Sequence, residues 1–152
     1  MDEESRRYVA FTKQDIRKLQ VLQNKIMRLK SGLPFESGTK ELTESTGDLS
    51  VHQLVAYSTL KTVHRIIISK QPEYLSTKLK LRTKDDIPQL PPRYENTLGI
   101  NSRLTIARGG FFCRASALFD RLPLSLRSCT DLKMFKHEVK QWVKTNVPVK
   151  AD

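Results

Sequence analysis

Apolar residues recur at steps of three and four along four stretches of the chain, and that period predicts helices. In the first, Ile16, Leu19, Leu22, Ile26 and Leu29 fall on one side of a segment from Thr12 to Lys30. The seam is expected to be buried, with Arg17, Lys18, Lys25 and Arg28 on the opposite face. Thr12 is placed to cap the first turn, and Asp15 lies at the positive end of the helix dipole. Gly32-Leu33-Pro34 ends the element with a permissive dihedral followed by a missing donor. A short helical turn over Thr39 to Ser45 is stopped by Gly47.

The second long helix opens at Ser50, where Ser50 and Gln53 form an S-x-x-Q capping box. Val51, Leu54, Val55, Leu60, Val63 and Ile67 give it a wide apolar stripe, and this helical period outweighs the strand-like run Ile66-Ile67-Ile68. Pro72 suits the first turn of a third helix, since its missing N–H would be unpaired there. From 80 to 110 the period is lost among Pro88, Pro91, Pro92 and Gly99. This stretch reads as an extended connector, with a short strand or hairpin arm over Asn101 to Ala107. Two helices close the chain. Phe112, Ala115, Leu118 and Phe119 share a face from Phe112 to Arg121, which ends near Leu122-Pro123. After a start at Thr130 or Asp131, the last helix buries Leu132, Phe135, Val139, Trp142 and Val143 and exposes Lys133, Lys136, Lys140 and Lys144.

The pattern predicts a mainly α fold, a small bundle of about five helices with a proline-rich crossover. At 152 residues the chain is read as one domain. Its parts are a flexible N-terminus (1–11), N-terminal helices (12–79), the connector (80–110), the closing helix pair (111–146) and a tail (147–152).

Charge changes this picture from a bundle to a bundle with a partner. The net charge is +11, the pI is about 9.9, and the excess is regional. Residues 1–50 carry +1 (9 basic, 8 acidic), 51–100 carry +4 (8 and 4) and 101–152 carry +6 (10 and 4). Clustered cations release counterions when they meet phosphates, so RNA or DNA backbone is the expected partner. The lysine face of the last helix, with Arg114, Arg121 and Arg127 nearby in sequence, is the candidate contact surface. A merely solvated helix face is the alternative. The N-terminal MDEESRR lacks the apolar core of a signal peptide, and no stretch approaches a spanning helix. A cytosolic or nuclear setting without membrane contact is expected.

Candidate chemistry is sparse. Asp85-Asp86 lacks a third acid and a hydrophobic strand, so it reads as a solvated loop. His52 and His64 lie twelve residues apart, about 120° round an ideal helix, without ligand or nucleophile partners. Cys113 and Cys129 fit reduced, packed thiols. Ser116 and Ser125 lack a nucleophile-elbow setting, and no phosphate-binding glycine loop of the P-loop kind occurs. Arg108-Gly109-Gly110 before a helix admits a phosphate cup, with a hinge as the simpler role. Trp142 and Tyr57 are stacking candidates, and Trp142 is assigned to the core. No catalytic residue, metal or cofactor is assigned.

The closing block FFCRASALFDRLPLSLRSCTDLKMFKHEVKQWV (111–143) resembles the far C-terminal end of the reverse transcriptases of non-LTR retrotransposons. The shared pattern is an aromatic, a small-residue helix, Leu-Pro, Leu-Arg, Ser/Thr and Phe-Lys. IRKLQVLQNKIMRL (16–29), LSVHQLVAYSTLKTVHRII (49–67) and PEYLSTKL (72–79) agree in order, so the resemblance covers most of the chain. It implies a thumb-side segment, downstream of the palm, that helps hold template and primer. The aromatic-X-Asp-Asp motif of the palm is missing from this sequence, so no activity is expected of it alone. The palm and fingers of a longer chain then become possible neighbours. Two other classes stand beside this reading: a helical protein-interaction module, in which the seam from Ile16 to Leu29 pairs with a partner helix, and a contributor to polymerase or nuclease activity.

Overall fold

In a computed structural model, residues 13–99 and 111–150 are described. They form α1 (Lys13–Ser31), α2 (Thr39–Thr46), α3 (Val51–Ser69), α4 (Glu73–Lys78), a 3₁₀ turn (Pro92–Tyr94), α5 (Phe111–Asp120), α6 (Leu124–Arg127) and α7 (Leu132–Asn146). The chain is mainly helical, and no strand occurs among the described residues. Beyond the five principal helices, the turn after Gly38 and the Leu-Pro corner are short helices of their own, α2 and α6. The Thr12 cap, the arm over Asn101 to Ala107 and the Arg108-Gly109-Gly110 cup lie outside the described residues.

By compactness the described residues divide into two units, one of those within 58–139, the other of those within 11–57 and 140–152. In the unit of 58–139, Leu60, Val63 and Ile66 of α3, Ala115 and Phe119 of α5, Leu126 of α6, and Phe135 and Val139 of α7 are buried. Pro123 stands before α6 in extended conformation, and Asp131 caps α7, its Oδ1 accepting the Lys133 N–H at 2.9 Å. The described part of the connector, 80–99, is tied down as well. The Arg82 N–H donates to Thr97 O and the Arg82 carbonyl accepts from Asn96 N–H, both at 2.8 Å, while the Asp120 carboxylate accepts from Leu98 N–H (2.7 Å) and Gly99 N–H (3.1 Å). Gly99 has φ +61, a backbone conformation that favours glycine, and a Cβ there would oblige the flexible Arg82 guanidinium to shift.

In the other unit, α1 meets α2 with an inward face made of Met27 and three amides. Gln20 Nε2 donates to Gln23 Oε1 (2.7 Å) and Asn24 Oδ1 (2.9 Å), while its Oε1 accepts from Val51 N–H (2.9 Å). Gln23 donates to Leu49 O (2.8 Å) and Asn24 to Thr39 Oγ1 (2.9 Å). Gln20 and Gln23 thereby satisfy backbone groups around the start of α3 that would otherwise be unpaired, while Asn24 ties α1 to the Thr39 hydroxyl at the start of α2. The capping box is present, Ser50 N–H reaching Gln53 Oε1 (3.1 Å) and Gln53 N–H reaching Ser50 Oγ (3.3 Å). The Gln53 amide donates onward to Val147 O at 3.0 Å, and Val147 is itself buried. Gly32 (φ 71) and Gly47 (φ 73) end α1 and α2 in the left-handed region.

Four expectations are corrected here. Apart from Ile16, which is half-buried, the α1 seam lies outside: Leu19, Leu22, Ile26 and Leu29 are 38, 55, 59 and 86 % exposed. The amides, needing hydrogen-bond partners, occupy the inner face because the backbone at Leu49 and Val51 and the Thr39 hydroxyl supply them there. On α3 the buried side is rotated from the predicted stripe, with Gln53, Ala56, Leu60 and Val63 inside and Leu54 exposed. Leu132 is exposed rather than buried, since Asp131 caps the turn in which it stands. Pro72 sits at the N-cap of α4, one position earlier than expected.

Candidate nucleic-acid interface

The predicted lysine face exists as a geometric object on α7. Lys133, Lys136, Lys140 and Lys144 are all exposed. By the helical period they fall within an arc of about 80° and extend about 16 Å along the axis. The one acidic residue of the helix, Glu138, lies about 120° or more from each of them by the same period. None of the four takes part in an ion pair among the described residues, where the pairs are Lys30–Asp48, Lys80–Asp86 and Lys84–Glu95. Lys140 does act at range on Asp48. That carboxyl is held below its ordinary value first by the hydrogen bond from Lys30, against the cost of burial, with the Lys30 charge and Thr46 also favouring the ionised form and Lys140 the weakest contributor.

Within the unit of 58–139, Lys136 belongs to a cleft of about 190 Å³ lined also by Lys61, Thr62, His64, Arg65, Leu132 and Phe135. Lys61 and Arg65 are one helical turn apart on α3, so they share a face, and the fold sets that face beside Lys136. His64 is 2 % exposed and lies flat on the Phe135 ring, with centroids 3.7 Å apart and planes at 4°. Its Nε2 is 2.7 Å from Cys129 O, which assigns the hydrogen to Nε2 and leaves Nδ1 as an acceptor without a partner among the described residues. Burial lowers the His64 pKa, opposed by the bond to Cys129. The imidazole is therefore neutral at pH 7, and the charge around the cleft comes from Lys61, Arg65 and Lys136.

Arg114 and Arg121 are exposed but do not line this cleft. Arg127 has a different task. It is 9 % exposed, and its Nη1 donates to Asp120 O and Leu122 O at 3.1 Å, satisfying carbonyls at the end of α5. That use removes it from the contact surface. Lys61 and Arg65, which the sequence reading passed over, were signalled only by their spacing of four.

Other candidates stand as follows. Asp85 and Asp86 are exposed, and Asp86 pairs with Lys80 (3.9 Å) and Thr83 (3.1 Å). Cys113 and Cys129 are free cysteines and half-buried; Tyr57 is half-buried, and so is Trp142, which the sequence reading placed in the core. Among the described residues no three His, Cys, Asp or Glu side chains gather as a metal site, and no helix is long and apolar enough to cross a membrane. Compared with models of protein families, curated protein sequences and solved structures, the chain has no match.

Proposed function

We propose that this chain is a non-catalytic nucleic-acid-binding segment of the kind found at the C-terminal end of a non-LTR retrotransposon reverse transcriptase. It contacts RNA or DNA backbone electrostatically and with low sequence specificity, in a cytosolic or nuclear setting. The observation that carries the reading is the lysine face of α7, which has no ion pair among the described residues and no acid of its own helix on that side, with Asp48 acting on Lys140 only at range, and which Lys61 and Arg65 extend at the cleft. Cations arranged this way neutralise successive phosphates without reading bases. Lys133, Lys136, Lys140 and Lys144 are the principal contacts, and Arg114 and Arg121 are subsidiary ones. Polymerisation would need palm acids from elsewhere, and the palm and fingers of a longer chain are natural neighbours of such a segment.

The test is a salt titration of binding to a labelled RNA hairpin and a matched DNA duplex. Replacing the four α7 lysines by glutamine should weaken binding and flatten the slope of log affinity against log salt by up to about three to four. An unchanged affinity and slope would discard the face. Primer extension by the purified chain with Mg²⁺ would overturn the non-catalytic reading.

The second reading, a helical protein-interaction module, has an observation of its own: α1 carries its apolar seam on the outside.

A further inference from the structure

The outward face of α1 is the least explained surface of the molecule. Leu19, Leu22, Ile26 and Leu29 follow one another at steps of three, four and three, the a and d positions of two heptads, and all are exposed. They form a stripe about 15 Å long. The helix does not need this stripe for its own attachment, because Met27 and the Gln20, Gln23 and Asn24 amides already hold its other side.

The flanks of the stripe decide what can cover it. Lys18 and Lys25 occupy the g positions and are exposed; Gln23 and Lys30 occupy the e positions, and Lys30 is bonded to Asp48 at 2.8 Å. A second copy of α1 packed in parallel would set Lys25 against Lys30, and one packed antiparallel would set Lys18 against Lys25. Like charges at these positions oppose pairing in either direction. A helix with glutamates or aspartates at its own e and g positions meets attraction at the same places.

We propose that the outward face of α1 docks an amphipathic helix of another protein whose apolar seam is bordered by acidic residues. Burial of the four aliphatic side chains supplies the affinity, and Lys18 and Lys25 supply the choice of partner. This surface is separate from the lysine face of α7 and stands or falls without it.

The full chain is titrated with a fluorescent synthetic helical peptide carrying leucine at a and d and glutamate at e and g, and with a twin carrying lysine at e and g. The acidic peptide should bind and the basic twin should not. The double change Leu22→Glu with Ile26→Glu should weaken binding by about tenfold or more, and Lys18→Glu with Lys25→Glu should reverse the preference between peptides. Neither double change should alter the melting temperature or, for the leucine–isoleucine pair, RNA binding. Equal binding of both peptides, binding of neither, or binding lost with the α7 lysines instead of the stripe would overturn the proposal. So would a dimer in sedimentation, or a fall in melting temperature on placing glutamates at Leu22 and Ile26, which would show the stripe to be covered within the chain.

Discussion

The two units bury different things. Among the described residues, the unit of 58–139 buries twelve apolar and four polar or charged side chains, whereas the unit of 11–57 and 140–152 buries six and five. The first is held by aliphatic and aromatic contact, which is non-directional and roughly proportional to area. The second depends on amide hydrogen bonds, which contribute little each but are costly when one partner is left alone. Apolar surface not needed inside the second unit is left outside it, on α1.

The sharpest way to break the contrast is at the centre of the aliphatic unit. Phe135→Ala removes a ring that is 1 % exposed and stacked on His64, and should cost about 3–5 kcal/mol in urea unfolding. A cost under about 1 kcal/mol would mean that the ring is not core. Next comes the amide unit, where Gln53→Leu keeps volume but strands the Ser50 N–H and the Val147 carbonyl. A loss of about 2–3 kcal/mol is expected, and a neutral result would show that apolar contact holds this unit too. Met27→Ala should cost about 2 kcal/mol, measured the same way.

A smaller effect is expected from pH. Burial holds the His64 pKa below its ordinary value near 6.5, so the unfolded chain binds this proton more readily than the folded one. The contribution is fully present above that unfolded value and is lost as pH falls through it. Melting between pH 7.5 and 5.5 should therefore show falling stability, with a flatter dependence in His64→Gln. Identical slopes would remove His64 as the cause. Leu22→Ala should lie within about 0.5 kcal/mol of the parent, because its side chain is already in water. A cost like that of Met27→Ala would erase the distinction between the two faces of α1.

Local signals were readable in the sequence. Ser50 and Gln53 form the predicted box, Gly32 and Gly47 stop helices as expected, and the α7 lysines share the exposed face their spacing requires. What could not be read was the direction in which α1 faces. Periodicity records that an apolar stripe exists, but not whether this chain supplies its cover. The amides that won the inner face reach backbone groups 26 and 31 residues away, at Leu49 and Val51, and no local pattern encodes that match. Arg127 is a second case. Its charge reads as surface in the sequence, yet the carbonyls of Asp120 and Leu122 claim it. The meeting of Lys61 and Arg65 with Lys136 across a cleft likewise depends on helix placement rather than spacing.

The bond from Gln53 to Val147 joins residues 94 apart, and Val143 and Val147 are buried members of the unit that begins with α1. A ribosome delivers α1, α2 and the start of α3 long before it delivers those valines. During synthesis the Gln53 amide must therefore wait, solvated, while residues 58–139 are made. The unit that depends on amide hydrogen bonds is thus completed only after residues 58–139 are made, and the chain spends that interval with its α1 leucines accessible to whatever binds nascent polypeptides.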